Sequence, residues 1–185
     1  DDRTEKYEGA YVGEPQRGFQ NNIISFDANS LYPSVMITLN LSPETKVGSI
    51  IGTQGDKVYI KTVNNKDIEM SYKDFKNEIA VTRAKKLFSQ KNKGIFPKIT
   101  DHFYDIRKGK KKEWTEERER KRELTEKLSK LTDEKEIEET NKLIKASQYK
   151  IDQLWIWQFT LKILINRIYG YFGNKISQMG DGDIA

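Results

Sequence analysis

The sequence predicts an α+β fold, a small β-sheet portion with a projecting antiparallel pair of long helices, and three observations lead there. Short apolar runs bounded by Gly, Asn, Asp and Pro fill the stretch from Tyr7 to Ile60. From Pro97 to Gly173, apolar residues instead recur at helical spacing. Hydrophobic residues make up only 36% of the 185 and charged ones 33%, with a mean hydropathy of −0.80, so the apolar material must be gathered into few segments. Long solvent-exposed helices would gather it in that way, and the length suffices for one domain or two modest lobes.

Taken in order, Ile23-Ile24-Ser25-Phe26 and Val58-Tyr59-Ile60 read as strands. Signals from Asn64 to Lys93 are mixed, with a short helix expected inside Ser71 to Ser89 on Tyr72, Phe75 and Ile79. After Gly94-Ile95-Phe96, Pro97 fits the first helical position, and Ile99, Phe103, Ile106, Lys110, Trp114, Leu124, Leu128 and Leu131 carry a helix to about Leu131. Thr132 or Asp133 then caps a second helix with Ile137, Ile144, Ile151, Leu154, Ile165 and Ile168, and Gly170 and Gly173 lie near its end. Each helix would be on the order of 50 to 60 Å long. The Lys and Arg residues between Lys110 and Lys145 alternate with Glu, which describes the solvated face of a helical hairpin and not a basic tail.

Composition narrows the function classes. A net charge of +5 and a pI near 9.1 favour a polyanionic partner, though only mildly. The absence of cysteine excludes disulfides and thiolate metal sites and leans towards a reducing compartment. No apolar run reaches membrane-spanning length, and Asp1 to Ala10 lacks the layout of a signal peptide, so a soluble, intracellular protein with no membrane partner is expected. The chain begins without methionine and stops at Met179-Gly-Asp-Gly-Asp-Ile-Ala185, an ending that reads as an excerpt of something longer.

Two constellations could carry chemistry. The first is Asp27-Ala28-Asn29-Ser30-Leu31-Tyr32-Pro33-Ser34, an acid at the end of an expected strand followed by a helix that Pro33 suits. Free backbone N–H groups around Ser30, Leu31 and Tyr32 would then point at whatever Asp27 faces, a local arrangement for gripping phosphate, and a hard cation on Asp27 could bridge to it. The second lies on the last helix, where Lys162, Asn166, Tyr169, Gly170 and Gly173 share roughly one face. A lysine for phosphate, an amide, and a Tyr-Gly pair open to a flat base make a surface for a nucleoside triphosphate; the alternative is a tyrosine packed in the core with the lysine snorkelling. Arg107 and Lys111, one helical turn apart, could add two cationic contacts.

In this order the segments resemble family B DNA polymerases over nearly the whole chain. Tyr7-Glu8-Gly9-Ala10 resembles the YxG(G/A) element between exonuclease and polymerase domains. Phe26 to Ser34 resembles motif A, and Lys162-Ile163-Leu164-Ile165-Asn166-Arg167-Ile168-Tyr169-Gly170 resembles motif B. Leu39 to Gly48 looks most like the branch found in large tailed phages, with Ser42-Pro43-Glu44-Thr45 favouring it over the protein-primed branch that the octapeptide also suits. The resemblance implies a palm portion over 1–96, a helical fingers hairpin over 97–173 and a return towards the palm over 174–185.

It further implies roles residue by residue. Asp27 and the Ala28 carbonyl would be ligands of two catalytic magnesium ions, with Ser30 and Leu31 at the nucleotide and Tyr32 under the incoming sugar, where it would crowd a 2′-hydroxyl. Arg107, Lys111 and Lys162 would clamp the triphosphate. Asn166 would sit beside it, and Tyr7, Gly9, Tyr169 and Gly170 by the nascent pair and DNA. The implied partners are primer–template DNA, deoxynucleoside triphosphates and a complementary polymerase portion with motif C and thumb, through which a sliding clamp would be met; the implied location is the cytoplasm, of a host cell if the protein is phage-encoded. Arg167 departs from the usual serine, and no motif C follows. Asp181-Gly182-Asp183 has acid spacing but comes too soon after Gly173, so an isolated chain is expected to be incomplete and inactive. The alternative is a non-catalytic helical hairpin that binds nucleic acid or protein.

Overall fold

A computed structural model describes residues 12–27 and 30–172. The order of elements is α1 (Leu31–Thr38), β1 (Lys46–Gln54), β2 (Lys57–Thr62), β3 (Asp67–Ser71), α2 (Tyr72–Glu78), β4 (Ile79–Val81), β5 (Lys86–Ser89), α3 (Ile95–Leu128) and α4 (Glu134–Phe172). The class is α+β, as the sequence predicts. Two compact units arise: the first reaches Pro97 and resumes at Tyr169, and the second is Lys98–Ile168. Among the described residues, no helix is long and apolar enough to cross a membrane.

In the first unit, five strands form one antiparallel sheet in the order β3-β2-β1-β5-β4. Val58, Ile60, Phe75 and Leu87 form its buried cluster, flanked by Val47, Ile50, Met70 and Ile79. Alternation on β2 sends Val58 and Ile60 inward, and α2 closes the same face with Phe75. Ser71 starts α2 by accepting a hydrogen bond from the Asp74 N–H at 3.1 Å. Gly48 has a structural reason to be glycine, since a Cβ there would lie 1.9 Å from the Lys61 carbonyl oxygen across β1 and β2.

Two expectations are corrected. Val58-Tyr59-Ile60 is a strand, within β2, but among the described residues the strands lie over 46–89, and Ile23–Phe26 forms none. The physical reason is pairing: a strand exists through its neighbour, and no described segment runs beside this one. Its apolar side chains stay in solvent, with Ile24 77% and Phe26 91% exposed. The short helix on Tyr72 and Phe75 is present, but Ile79 already begins β4.

The second unit is the helical pair. α3 starts at Ile95, which makes Pro97 its third residue instead of its first; the missing N–H costs nothing there, because the first four N–H groups of a helix have no internal acceptor. Asp133 caps α4, its Oδ1 accepting from Lys135 and Glu136 N–H at 3.0 Å each. Along α3 the covered positions include 100, 103, 107, 110, 114, 117, 121, 124 and 128; along α4 they include 137, 140, 144, 147, 151, 154, 158, 161, 165 and 168. Steps of three and four alternate through these positions, the spacing of an antiparallel coiled-coil seam. Two polar members of α3 are partnered across it: Glu117 accepts from Lys150 Nζ and Ser147 Oγ, both at 2.7 Å, and Lys121 Nζ donates to Gln148 Oε1.

Candidate functional site

The octapeptide of the first unit straddles the entry to α1. Asp27 is exposed, and Ala28 and Asn29 lie outside the described residues. Ser30 takes the left-handed conformation (φ 52°, ψ 49°) and contributes no side-chain cap, so the chain turns sharply into Leu31–Thr38. Leu31, Tyr32 and Pro33 thus form the first turn, in which the N–H groups of Leu31 and Tyr32 have no acceptor inside the helix. Pro33 and Met36 anchor the other face in the core.

Tyr32 is not a core tyrosine. It is 47% exposed and stacks on Tyr169, with ring centroids 4.5 Å apart and an interplanar angle of 28°. The octapeptide and the last turns of α4 therefore meet through the two tyrosines that the sequence singles out. Phe172 fixes that end of α4 below them: it is buried and meets Phe96 edge-on at 4.6 Å. Gly170 opens on empty space, since a Cβ built there would meet nothing within 4 Å.

In the second unit, Lys162 and Asn166 are exposed one turn apart on α4, and Arg167 is exposed as well. Its departure from serine therefore sets no bulky side chain into a packed seam. On α3, Lys111 is exposed, whereas Arg107 is half-buried at a seam position. The expectation of two like cationic contacts thus divides into one open and one partly covered side chain. Tyr7, Gly9, Gly173, Asp181 and Asp183 lie outside the described residues.

Among the described residues, no three or more His, Cys, Asp or Glu side chains gather closely enough to hold a metal ion. Asp27 alone does not fit a two-ion site. One group that sequence reasoning missed is Asn40, whose side chain joins the end of α1 to the loop before α3. A helix ending in Leu-Asn, with Asn in the left-handed position, was the available signal.

Comparison with known proteins bears on the family. The model for DNA polymerase family B matches residues 1–133. A DNA polymerase of Archaeoglobus fulgidus is 30% identical over 177 residues, 96% of this chain and 16% of that protein. One from Fowlpox virus is 28% identical over 179 residues, 90% of this chain and 15% of its own length. Over a shorter stretch of 43 residues, 23% of this chain and 6% of the relative, a DNA polymerase of Desulfurococcus is 56% identical. The chain thus spans less than a fifth of the two relatives that it matches along most of its length. With the family model covering well over half of its residues, this chain belongs to family B of the DNA polymerases.

Proposed function

We propose that this segment is the palm start and fingers hairpin of a template-directed DNA polymerase, adding a nucleotide from a deoxynucleoside triphosphate to a primer 3′-hydroxyl. The observation that carries the reading is the stacking of Tyr32 on Tyr169, which sets a tyrosine of the motif A-like segment against one of the motif B-like segment within the first unit. In the reaction the primer hydroxyl attacks the α-phosphorus while the bond to the departing pyrophosphate breaks. Charge on the triphosphate must be neutralised and the reacting atoms aligned, so positioning and electrostatics dominate. Lys111 and Lys162 are exposed cations suited to the phosphates, and Arg107 is a stiffer, partly covered one. Asn166 lies one turn from Lys162 on the same face, and Gly170 leaves room for the base pair. Tyr32, held by Tyr169, supplies a flat surface under the sugar.

Asp27, with the Ala28 carbonyl, is what this segment contributes to a magnesium-dependent site whose further carboxylate comes from chain outside it. The reading therefore includes a complementary portion with motif C and thumb, and primer–template DNA as partner. Within the family, Ser42-Pro43-Glu44-Thr45 leads us to favour the replicative branch of large phages. The test is primer extension with magnesium, by the 185-residue segment alone and then with the complementary portion added. The expected result is no extension alone and restored synthesis on addition. Robust extension by the segment alone would overturn the division of labour; no restoration by a folded complementary portion would favour a non-catalytic binding module.

A further inference from the structure

Over residues 153–168, α4 shows solvent more apolar side chains than the flank of a seam requires. Trp155 is 46% exposed and Phe159 41%, and across one turn their rings lie parallel, with centroids 5.0 Å apart and an interplanar angle of 7°. Lys162 follows on the same face, three residues beyond Phe159, and the stretch contains no Asp or Glu. α3 runs antiparallel to it. Because Glu117 meets Ser147 and Lys150, Lys108 and Lys112 of α3 lie at about the level of Phe159 and Trp155. Both lysines are exposed, and the pair that Lys112 makes with Glu116, at 3.8 Å, is loose and open to water. Charge is sorted along the helical pair. Residues 98–112 and 153–168 together hold eight Lys or Arg against two Asp, an excess of six that is larger than the +5 of the whole chain, whereas 113–152 hold ten against twelve acids.

We propose that Trp155 and Phe159, with Lys108 and Lys112, form a binding site for single-stranded DNA that lies wholly within the second unit. It goes beyond the function proposed above, which uses none of these four side chains. A flat base extends the stack that the two rings begin, and since every base has a π-face the grip tolerates any sequence; the lysines at that level meet the phosphates. Duplex DNA gains little from the rings, because its bases are stacked inside it. Ile156, Trp157, Ile163 and Leu164 are exposed on the same stretch, which makes a protein surface the competing occupant. Charge decides between the two. The cores of protein interfaces are depleted in lysine, and an apolar partner would strip water from an excess of cations without compensating it, whereas a phosphate backbone neutralises that excess.

The experiment irradiates the complete polymerase that contains this segment together with a short oligothymidylate carrying 5-iodouracil, and maps the crosslinks by mass spectrometry. Attachment is expected at Trp155 or Phe159. Trp155→Ala and Phe159→Ala, at half-exposed positions that threaten folding little, should each lower the yield on α4 about tenfold, while Trp155→Phe, which keeps a ring, should stay close to wild type. Replacing Lys108 and Lys112 together by Ala should lessen the dependence of log affinity on log salt by about 1. A blunt duplex of equal length should not compete. No attachment within α4 would overturn the inference, as would yields that the ring variants leave unchanged or equal competition by the duplex. Oxidative footprinting of the DNA-free enzyme supplies the remaining check: Trp155 and Phe159 should be oxidised readily, and rings protected from hydroxyl radical would show that protein covers this face and would also overturn it. Crosslinking needs no catalysis, so a wild-type enzyme that extends no primer would sink the proposed function and leave this inference standing.

Discussion

At the scale of single residues, Tyr32 and Gly170 separate a nucleotide site from a packing arrangement. Tyr32 is half-exposed and leans on one ring, so Tyr32→Ala should cost about 0.5 to 1.5 kcal/mol of stability, well below the loss for a fully buried aromatic. If the ring lies beneath the sugar, the ratio of kcat/KM for ribonucleotides to that for deoxyribonucleotides should rise, and that ratio does not depend on the fraction of protein folded. An unchanged ratio in a folded variant removes Tyr32 from the sugar. Gly170 lies in the last described turn of α4 with nothing within 4 Å of its missing side chain, so Gly170→Ala should raise thermal stability by about 0.5 kcal/mol through helix propensity. Its polymerase activity should nevertheless fall, because the added methyl occupies space kept for the base pair. Gly109, likewise without neighbours, is the control: Gly109→Ala should stabilise without loss of rate.

At the scale of elements, the seam between α3 and α4 is held by a buried acid. The hydrogen bond from Lys150, and after it that from Ser147, holds the Glu117 carboxyl below its ordinary value near 4.5. A carboxyl lowered in the folded state stabilises above its unfolded value, and this contribution is lost as pH falls through the folded one. The Tm of the wild type should therefore drop on acidification below about 4.5, and Glu117→Gln, less stable at neutral pH, should show a shallower drop. Equal acid sensitivity in the two proteins would assign the stability to other groups. The helices were legible in the sequence because Ile, Leu and Trp mark much of the seam and Asp133 marks a start. Its regular three-four spacing was not, because Thr100, Arg107, Glu117 and Lys121 occupy covered positions without being apolar, whereas the expected Ile99 and Ile106 are exposed. The sheet was misread for the opposite reason: Ile23 to Phe26 is apolar but has no described partner strand, whereas the mixed stretch 64–93 pairs well. Asn40 was illegible as a contact, since its partners lie 49 to 54 residues away.

At the scale of the whole molecule, the proposed function divides labour between this segment and the remainder of a polymerase several times longer. The exposed Phe19, Ile23, Ile24 and Phe26 fit that division, for an apolar run beside the proposed acid is poorly served by solvent. Asp27 is proposed to belong to the reaction centre of such an enzyme. It is tested most directly by Asp27→Ala in the complete polymerase, with extension rate and primer–template affinity measured side by side. Extension should fall about a thousandfold or more, with duplex affinity within about threefold of wild type, because the carboxylate serves the transition state and not the grip on DNA. A variant that keeps a substantial fraction of the wild-type rate would contradict it.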